Sequence, residues 1–159
     1  MIEYIVRGVL LAHGILLLKQ GMSYIKTPQN QVFISLLKKE GLQGPGLDIA
    51  VPFLGISYVT VGVFNFLASL TFGFQEACYI LIASGTFFHI GMSIVRSKLD
   101  IRTSNLYKTG KIYTTNVIQS FIGLVCCAVG ILGIIYIWQK YRKCTEDNVN
   151  HCWTYKSHI

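Results

Sequence analysis

Four long apolar stretches constrain this 159-residue chain more than any other feature. They run over about residues 4–25, 49–72, 77–95 and 117–138, and each is close to the roughly 20 residues that a helix needs to cross a bilayer. Charged residues make up only 13% of the chain, against roughly 25% in a soluble domain. The sequence therefore predicts an all-α membrane protein with four transmembrane helices.

These spans take up most of the chain and leave no room for a separate soluble domain. We expect a four-helix bundle over residues 1–143 and a polar tail over residues 144–159. Only residues 73–76 separate the second and third spans, which predicts a tight antiparallel hairpin. Within the first span, an uninterrupted apolar run covers residues 8–18. Arg7 precedes this run, and Lys19 and Gln20 follow it where a cleaved signal peptide would have small residues, so we expect this helix to be retained.

The segment between the first two spans has the pattern of a short interfacial helix. Thr27-Pro28 supplies a helix start, and Gly41 follows as a stop. Between them, apolar residues recur at helical spacing: Val32, Phe33, Leu36 and Leu37. We expect this helix to lie on the membrane surface with its apolar side toward the lipid.

The positions of the basic residues bear on orientation and partners. Of the 14 lysines and arginines, the larger share lies in or beside the two long loops, which favours the cytoplasmic or matrix side for these loops. Basic flanks of this kind attract anionic lipids and account for the net charge of +7 without nucleic acid as a partner. The pattern leaves the mitochondrial inner membrane and the endoplasmic reticulum both open.

Two histidines inside predicted spans are the clearest chemical signal. His13 in the first span and His89 in the third would differ in depth by only about 5 Å at the helical rise per residue. Such a pair could provide the axial ligands of a haem b, or each ring could bond a neighbouring helix, because unpaired polar groups are costly in lipid. Asn65 in the second span is expected to link helices or to form a polar pocket with His89.

Small residues repeat along one face of two spans. They are Gly55, Gly62 and Ser69 in the second span, and Ser120, Gly123, Cys127 and Gly130 in the fourth. Small side chains let helix backbones approach closely. We therefore predict that these faces, together with Asn65, pack against other helices in the bundle or in a partner subunit.

The cysteines divide into two groups. Three lie within spans and are predicted to be buried small residues: Cys78, Cys126 and Cys127. Cys144 and Cys152 flank a polar loop in the tail and would form a disulfide in an oxidising compartment. With His151 and His158 they could instead bind zinc, but their spacing matches no familiar finger, and we predict no metal site.

Two short motifs carry a resemblance to a known family. Gly41-Leu42-Gln43 lies in the first loop, and Thr86-Phe87-Phe88-His89 lies in the third span. With the order of the spans and the tight hairpin, these motifs resemble the four-helix sterol-biosynthesis scaffold family of the endoplasmic reticulum. Members of that family tether enzymes and are not themselves known as catalysts, so the resemblance implies a noncatalytic role here.

The leading functional prediction is a noncatalytic accessory or scaffold subunit of a larger membrane complex, without a cofactor. All carboxylates lie outside the predicted spans, which disfavours proton pumps and intramembrane hydrolases. One alternative is a haem-binding electron-transfer subunit that uses His13 and His89. The other is a small lipid-binding membrane enzyme with a pocket around Asn65 and His89.

Overall fold

The computed structural model describes residues 1–27, 45–94 and 111–146, with side chains described for residues 1–27, 49–94 and 117–142. Within these ranges almost every residue is helical and no strand occurs. The predicted all-α class is therefore confirmed.

Four helical elements make up the described chain. They are α1 (Ile2–Lys26), α2 (Pro45–Thr71), α3 (Phe74–Ser84, continued by a π-helical segment Gly85–Gly91) and α4 (Lys111–Glu146). Three parts of them are long and apolar enough to cross a membrane: Ile49–Thr71, Phe74–Ile94 and Val117–Arg142. Helix α1 carries four charged residues and is not among these three.

The connection between α2 and α3 is as short as predicted. Helix α2 ends at Thr71 and α3 begins at Phe74, with Gly73 as the cap residue. Helix α2 begins earlier than the predicted span, at Pro45, where proline is favoured because the first turn has no partner for a backbone N–H. The predicted interfacial helix, Gly41-Leu42-Gln43 and the tail beyond Glu146 lie outside the described residues.

Much of the outer surface of the three spans consists of exposed apolar side chains. In an 18-residue apolar window of each of the three spans, only 28%, 44% and 22% of the residues are buried within the chain. The exposed remainder includes large apolar residues such as Phe53, Phe87, Phe121 and Leu124. A helix that is apolar on all sides is typical of a membrane span, so these outward faces fit a lipid environment.

Helices α1 and α2 pack as an antiparallel pair along a seam of small residues. A Cβ atom added to Gly14 would lie 2.9 Å from the carbonyl oxygen of Gly62, and one added to Gly21 would lie 2.6 Å from that of Gly55. The Arg7 guanidinium extends the same register and donates to the Ser69 carbonyl oxygen at 3.0 Å. Backbones in such close contact require glycine at the crossing points.

Helices α3 and α4 form a second close pair. A Cβ atom on Gly130 would lie 2.5 Å from Cγ1 of Ile82, and one on Gly123 would lie 2.9 Å from Cβ of His89. Cys126 packs against Gly85 in the same way. The fourth-helix stripe therefore faces α3 at Gly123 and Gly130.

Two apolar clusters fill the bundle at different levels. One is formed by Val6, Leu10, Ala68, Ala77, Cys78, Leu81 and Cys126. The other is formed by Leu17, Tyr24, Val51, Tyr58 and Phe88. Along α1, α2 and α3 the buried polar residues His13, Asn65 and Ser84 fall between members of the two clusters. A polar layer thus separates two apolar layers.

Candidate functional site: a buried histidine pair

The two intramembrane histidines meet in the polar layer. Nε2 of His13 lies 2.6 Å from Nε2 of His89, and the ring centroids are 4.8 Å apart with the planes tilted by 52°. The side chains are buried, with 2% and 1% of their surface exposed. Two lone pairs or two N–H groups would repel at this distance, so one proton must lie between the nitrogens.

The far side of the His13 ring contacts two polar groups. Its Nδ1 lies 3.0 Å from the Asn65 amide nitrogen and 3.3 Å from the Ser84 hydroxyl. The same Asn65 nitrogen donates to the Ser84 hydroxyl at 3.2 Å. The Ser84 hydroxyl also lies 3.4 Å from the Leu81 carbonyl oxygen. His13 on α1 thus contacts polar groups of α2 and α3.

The far side of the His89 ring contacts α4. Its Nδ1 lies 2.5 Å from Oε1 of Gln119, a half-buried residue near the start of the α4 span. Together with the Asn65 contact, this bond completes a row from α2 through α1 and α3 to α4. All four helices therefore contribute to one polar network.

The hydrogen-bonding groups determine the direction of this row. An amide N–H of Asn65 donates to His13 Nδ1, so a neutral His13 carries its proton on Nε2 and donates it to His89 Nε2. A neutral His89 then carries its proton on Nδ1 and donates to Oε1 of Gln119. With this assignment, Oδ1 of Asn65 is buried and has no hydrogen-bond partner among the described residues.

The backbone of α3 positions His89 in an unusual way. His89 lies on the π-helical segment, whose wider turn changes the direction of the side chains that follow Ser84. Gly85 and Gly123 let α4 approach this segment closely. Single π-helical turns inside α-helices occur frequently at functional sites, so the segment marks this site independently of the histidines.

The arrangement does not fit a haem between the two histidines. A metal–imidazole bond is about 2 Å long, so two axial nitrogens on opposite sides of an iron would be about 4 Å apart with a porphyrin between them. The rings of His13 and His89 are instead in direct hydrogen-bond contact.

The other residues singled out in the sequence have varied positions. Gly55, Gly62 and Ser69 face α1, and Gly123 and Gly130 face α3. The Cys127 thiol lies 3.2 Å from the Thr86 hydroxyl, and Ser120 is half-buried. The side chain of Cys144, with Cys152, His151 and His158, lies outside the described residues.

The sequence analysis did not single out four residues that contribute to the site or to the contacts between helices. Ser84 and Gln119 are polar residues inside predicted spans, and this was the available signal for both. Gly14 and Gly21 have the same seven-residue spacing as Gly55 and Gly62. That matching period in two helices indicates which faces pair.

Protein-family models, curated proteins and solved structures were compared with this chain, and none matches it. The resemblance to sterol-biosynthesis scaffolds stays a prediction.

Proposed function

We propose that this chain is a noncatalytic accessory or scaffold subunit of a membrane protein complex. The observation that carries this proposal is the closure of its polar core. His13, Asn65 and His89 are each at most 2% exposed, and they form hydrogen bonds with one another and with Ser84 and Gln119. An enzyme must admit a substrate to its reactive groups, whereas these groups link helices.

The proposal includes α1 as a fourth membrane span. Its 25 residues would extend about 37 Å at the helical rise per residue, enough to cross a bilayer. It packs antiparallel to α2 from Arg7 to Gly21. The Arg7 guanidinium bonds Glu3 and the Ser69 carbonyl oxygen, and Lys19 is close enough to the helix end for its amine to reach the interface.

An exposed small-residue face on α1 supports a partner subunit. Gly8 and Ala12 are both exposed and lie one turn apart, and an added Cβ atom on Gly8 would meet nothing within 4 Å. Exposed Ile5, Ile15 and Leu16 flank them. Small residues four apart between apolar side chains are typical of surfaces on which membrane helices associate.

The experiment isolates the complex from cells in mild detergent and measures its size on native gels, with cross-linked partners identified by mass spectrometry. Wild-type protein is expected in a species larger than one chain. Gly8→Leu should release the chain from that species, because a bulky side chain would occupy the open face. Leu124→Ala, an exposed site on α4, is the matched control and should leave the complex intact.

Two results would contradict the accessory role. One is a wild-type protein that migrates as a single chain and cross-links to no other membrane protein. The other is a haem absorption band in the purified protein that disappears in both His13→Ala and His89→Ala, which would support the electron-transfer alternative. A fluorescent fusion imaged in cells distinguishes the mitochondrial inner membrane from the endoplasmic reticulum.

A further inference from the structure

We infer that the partner helix of α1 carries a carboxylate, Asp or Glu, opposite Lys19. The inference rests on the proposed accessory role, because it gives the chemistry of the subunit that packs on the exposed face of α1. Three observations carry it: the depth of Lys19 in the bundle, its position on that face, and the absence of a counter-charge near it among the described side chains.

Lys19 lies well inside the apolar part of the bundle. The glycine contacts that fix the register of α1 on α2 place Lys19 level with Ser57. Ser57 is eight residues, or about 12 Å, inside the apolar span Ile49–Thr71. When lipid surrounds α1, the flexible lysine side chain can extend its amine along the helix toward the interface. Its charge therefore reaches water only while nothing covers this face.

Lys19 lies on the same outward face of α1 as the small residues that support a partner. It follows Gly8 by eleven residues and Ala12 by seven, which are about three and two turns of an α-helix. All three residues are exposed, and they lie on the side opposite to Gly14 and Gly21, which contact α2. A helix that packs on Gly8 and Ala12 and continues along α1 therefore covers Lys19.

The described side chains provide no counter-charge for Lys19. They include two carboxylates, Glu3 and Glu76. Glu3 lies sixteen residues before Lys19, about 24 Å along α1, and forms an ion pair with Arg7. Glu76 lies in the first turn of α3, at the end of the bundle where α1 begins. The charge of Lys19 is therefore uncompensated within the described part of the chain.

A purely apolar helix packed on this face would be unfavourable. It would cover the Lys19 side chain and take its charge out of water, and an ionised amine without a partner is costly in an apolar environment. A carboxylate on the packed helix offsets that cost, because charged side chains within membranes pair with one another. An anionic headgroup also binds an amine, but acyl chains do not require small side chains such as Gly8 and Ala12 beside it. The face therefore fits a helix with an acidic residue.

The geometry of the face limits where the carboxylate lies on the partner. Helices in membrane bundles mostly cross at small angles, so distances along the partner are close to distances along α1. The partner's side chains that pack on Ala12 are therefore about 10 Å, or two turns, from its acidic residue. Such a pair selects one partner over others, because an apolar helix of the same shape would leave Lys19 unpaired.

The test uses the full chain in neutral phosphatidylcholine vesicles with two synthetic transmembrane peptides. Both peptides consist of leucine and alanine with small side chains on one face, and they differ only in one residue, Glu or Gln, at the depth of Lys19. Binding is measured by energy transfer between the labelled chain and the labelled peptide. We expect the Glu peptide to bind about tenfold more tightly than the Gln peptide.

Three variants separate the Lys19 charge from the rest of the face. Lys19→Met keeps a long unbranched side chain and should abolish the preference for the Glu peptide, whereas Lys19→Arg should keep it. Lys26→Met changes an exposed lysine on the same face at the end of α1, where water screens the charge, and should also keep the preference. In cells, Lys19→Met, but not Lys26→Met, should release the chain from the larger species on native gels.

Equal binding of the two peptides to the wild-type chain, or a preference that survives in Lys19→Met, would overturn the inference. A preference that disappears in vesicles of anionic phosphatidylglycerol would also overturn it, because Lys19 would then bind headgroups. A carbodiimide cross-link between Lys19 and a carboxylate of its own chain would do the same. A native complex that persists in Lys19→Met would contradict the paired carboxylate and leave the accessory role intact, whereas a wild-type protein that migrates as a single chain would contradict both.

Discussion

The two helix pairs of this bundle achieve close packing in different ways. Between α1 and α2, glycines spaced seven residues apart on each helix face one another, as in Gly14 with Gly62 and Gly21 with Gly55. Between α3 and α4, glycines contact side chains more than glycines, and the π-helical segment interrupts the regular helix. The first pair is a regular seam of glycines, and the second pair joins glycines to side chains beside the π-helical segment.

The difference lies in which atoms of the two helices meet. In the first pair, a Cβ atom added to any of these four glycines would meet a backbone atom of the other helix at 2.9 Å or less, and a backbone atom cannot move aside. In the second pair, the absence of a side chain at Gly123 and Gly85 makes room for Cβ of His89 and Cβ of Cys126. Helices α1 and α2 therefore meet backbone to backbone, whereas α3 and α4 also meet through side chains.

The largest expected effect comes from breaking the regular seam with Gly21→Leu. A side chain there would meet the Gly55 carbonyl oxygen at 2.6 Å and the Val59 backbone nitrogen at 2.8 Å, so the helices must separate. We expect a loss of about 3 kcal/mol in the free energy of unfolding, measured for the isolated chain in detergent by circular dichroism. Gly8→Leu on the same helix has open space and should leave this stability unchanged. Equal losses in both variants would mean that α1 and α2 do not pack along this seam.

A smaller effect is expected from Gly130→Leu in the second pair. The added side chain meets Cγ1 of Ile82 at 2.5 Å and the Cys78 carbonyl oxygen at 3.0 Å. The closer contact is relieved if the half-buried isoleucine changes rotamer, and the backbone contact is longer than the one at Gly21. We expect a loss of about 2 kcal/mol by the same measurement. Leu124→Ala, which truncates an exposed leucine, serves as the control. If Gly130→Leu lowered the free energy of unfolding more than Gly21→Leu does, the second pair would be the less tolerant of an added side chain.

The sequence predicted the parts of this structure that depend on length and polarity. Apolar stretches of span length gave the all-α class, and the short polar segment after Phe72 gave the hairpin between α2 and α3. The π-helical segment could not be predicted, because Gly85–Gly91 has no composition that distinguishes it from an ordinary apolar helix. The direct contact of His13 with His89 depends on that segment and on the pairing of α4, so similar depth alone did not reveal it.

Asn65→Leu tests whether the polar row contributes to stability as the seams do. The change removes bonds to His13 and Ser84, each worth about 0.6 kcal/mol on average in membrane bundles, and it also removes the unpaired Oδ1. We expect a net loss of no more than about 1 kcal/mol. Thr60→Val, which removes an exposed hydroxyl bonded within α2, is the comparison. If Asn65→Leu unfolded the chain, the polar row would be as necessary for stability as the glycine seam between α1 and α2.

The smallest effect is expected where α3 and α4 share a weak polar contact at the surface. The Thr86 hydroxyl lies 3.2 Å from the Cys127 thiol, and Thr86 is exposed. Valine has nearly the same shape, so Thr86→Val removes only this contact, and thiols are weak donors and acceptors. We expect a change within about 0.5 kcal/mol, equal to that of Thr71→Val, whose hydroxyl bonds within α2. If Thr86→Val instead destabilised the chain as much as Gly130→Leu, polar contacts at the membrane-facing edge would contribute as much to the second pair as the close packing at Gly130 does.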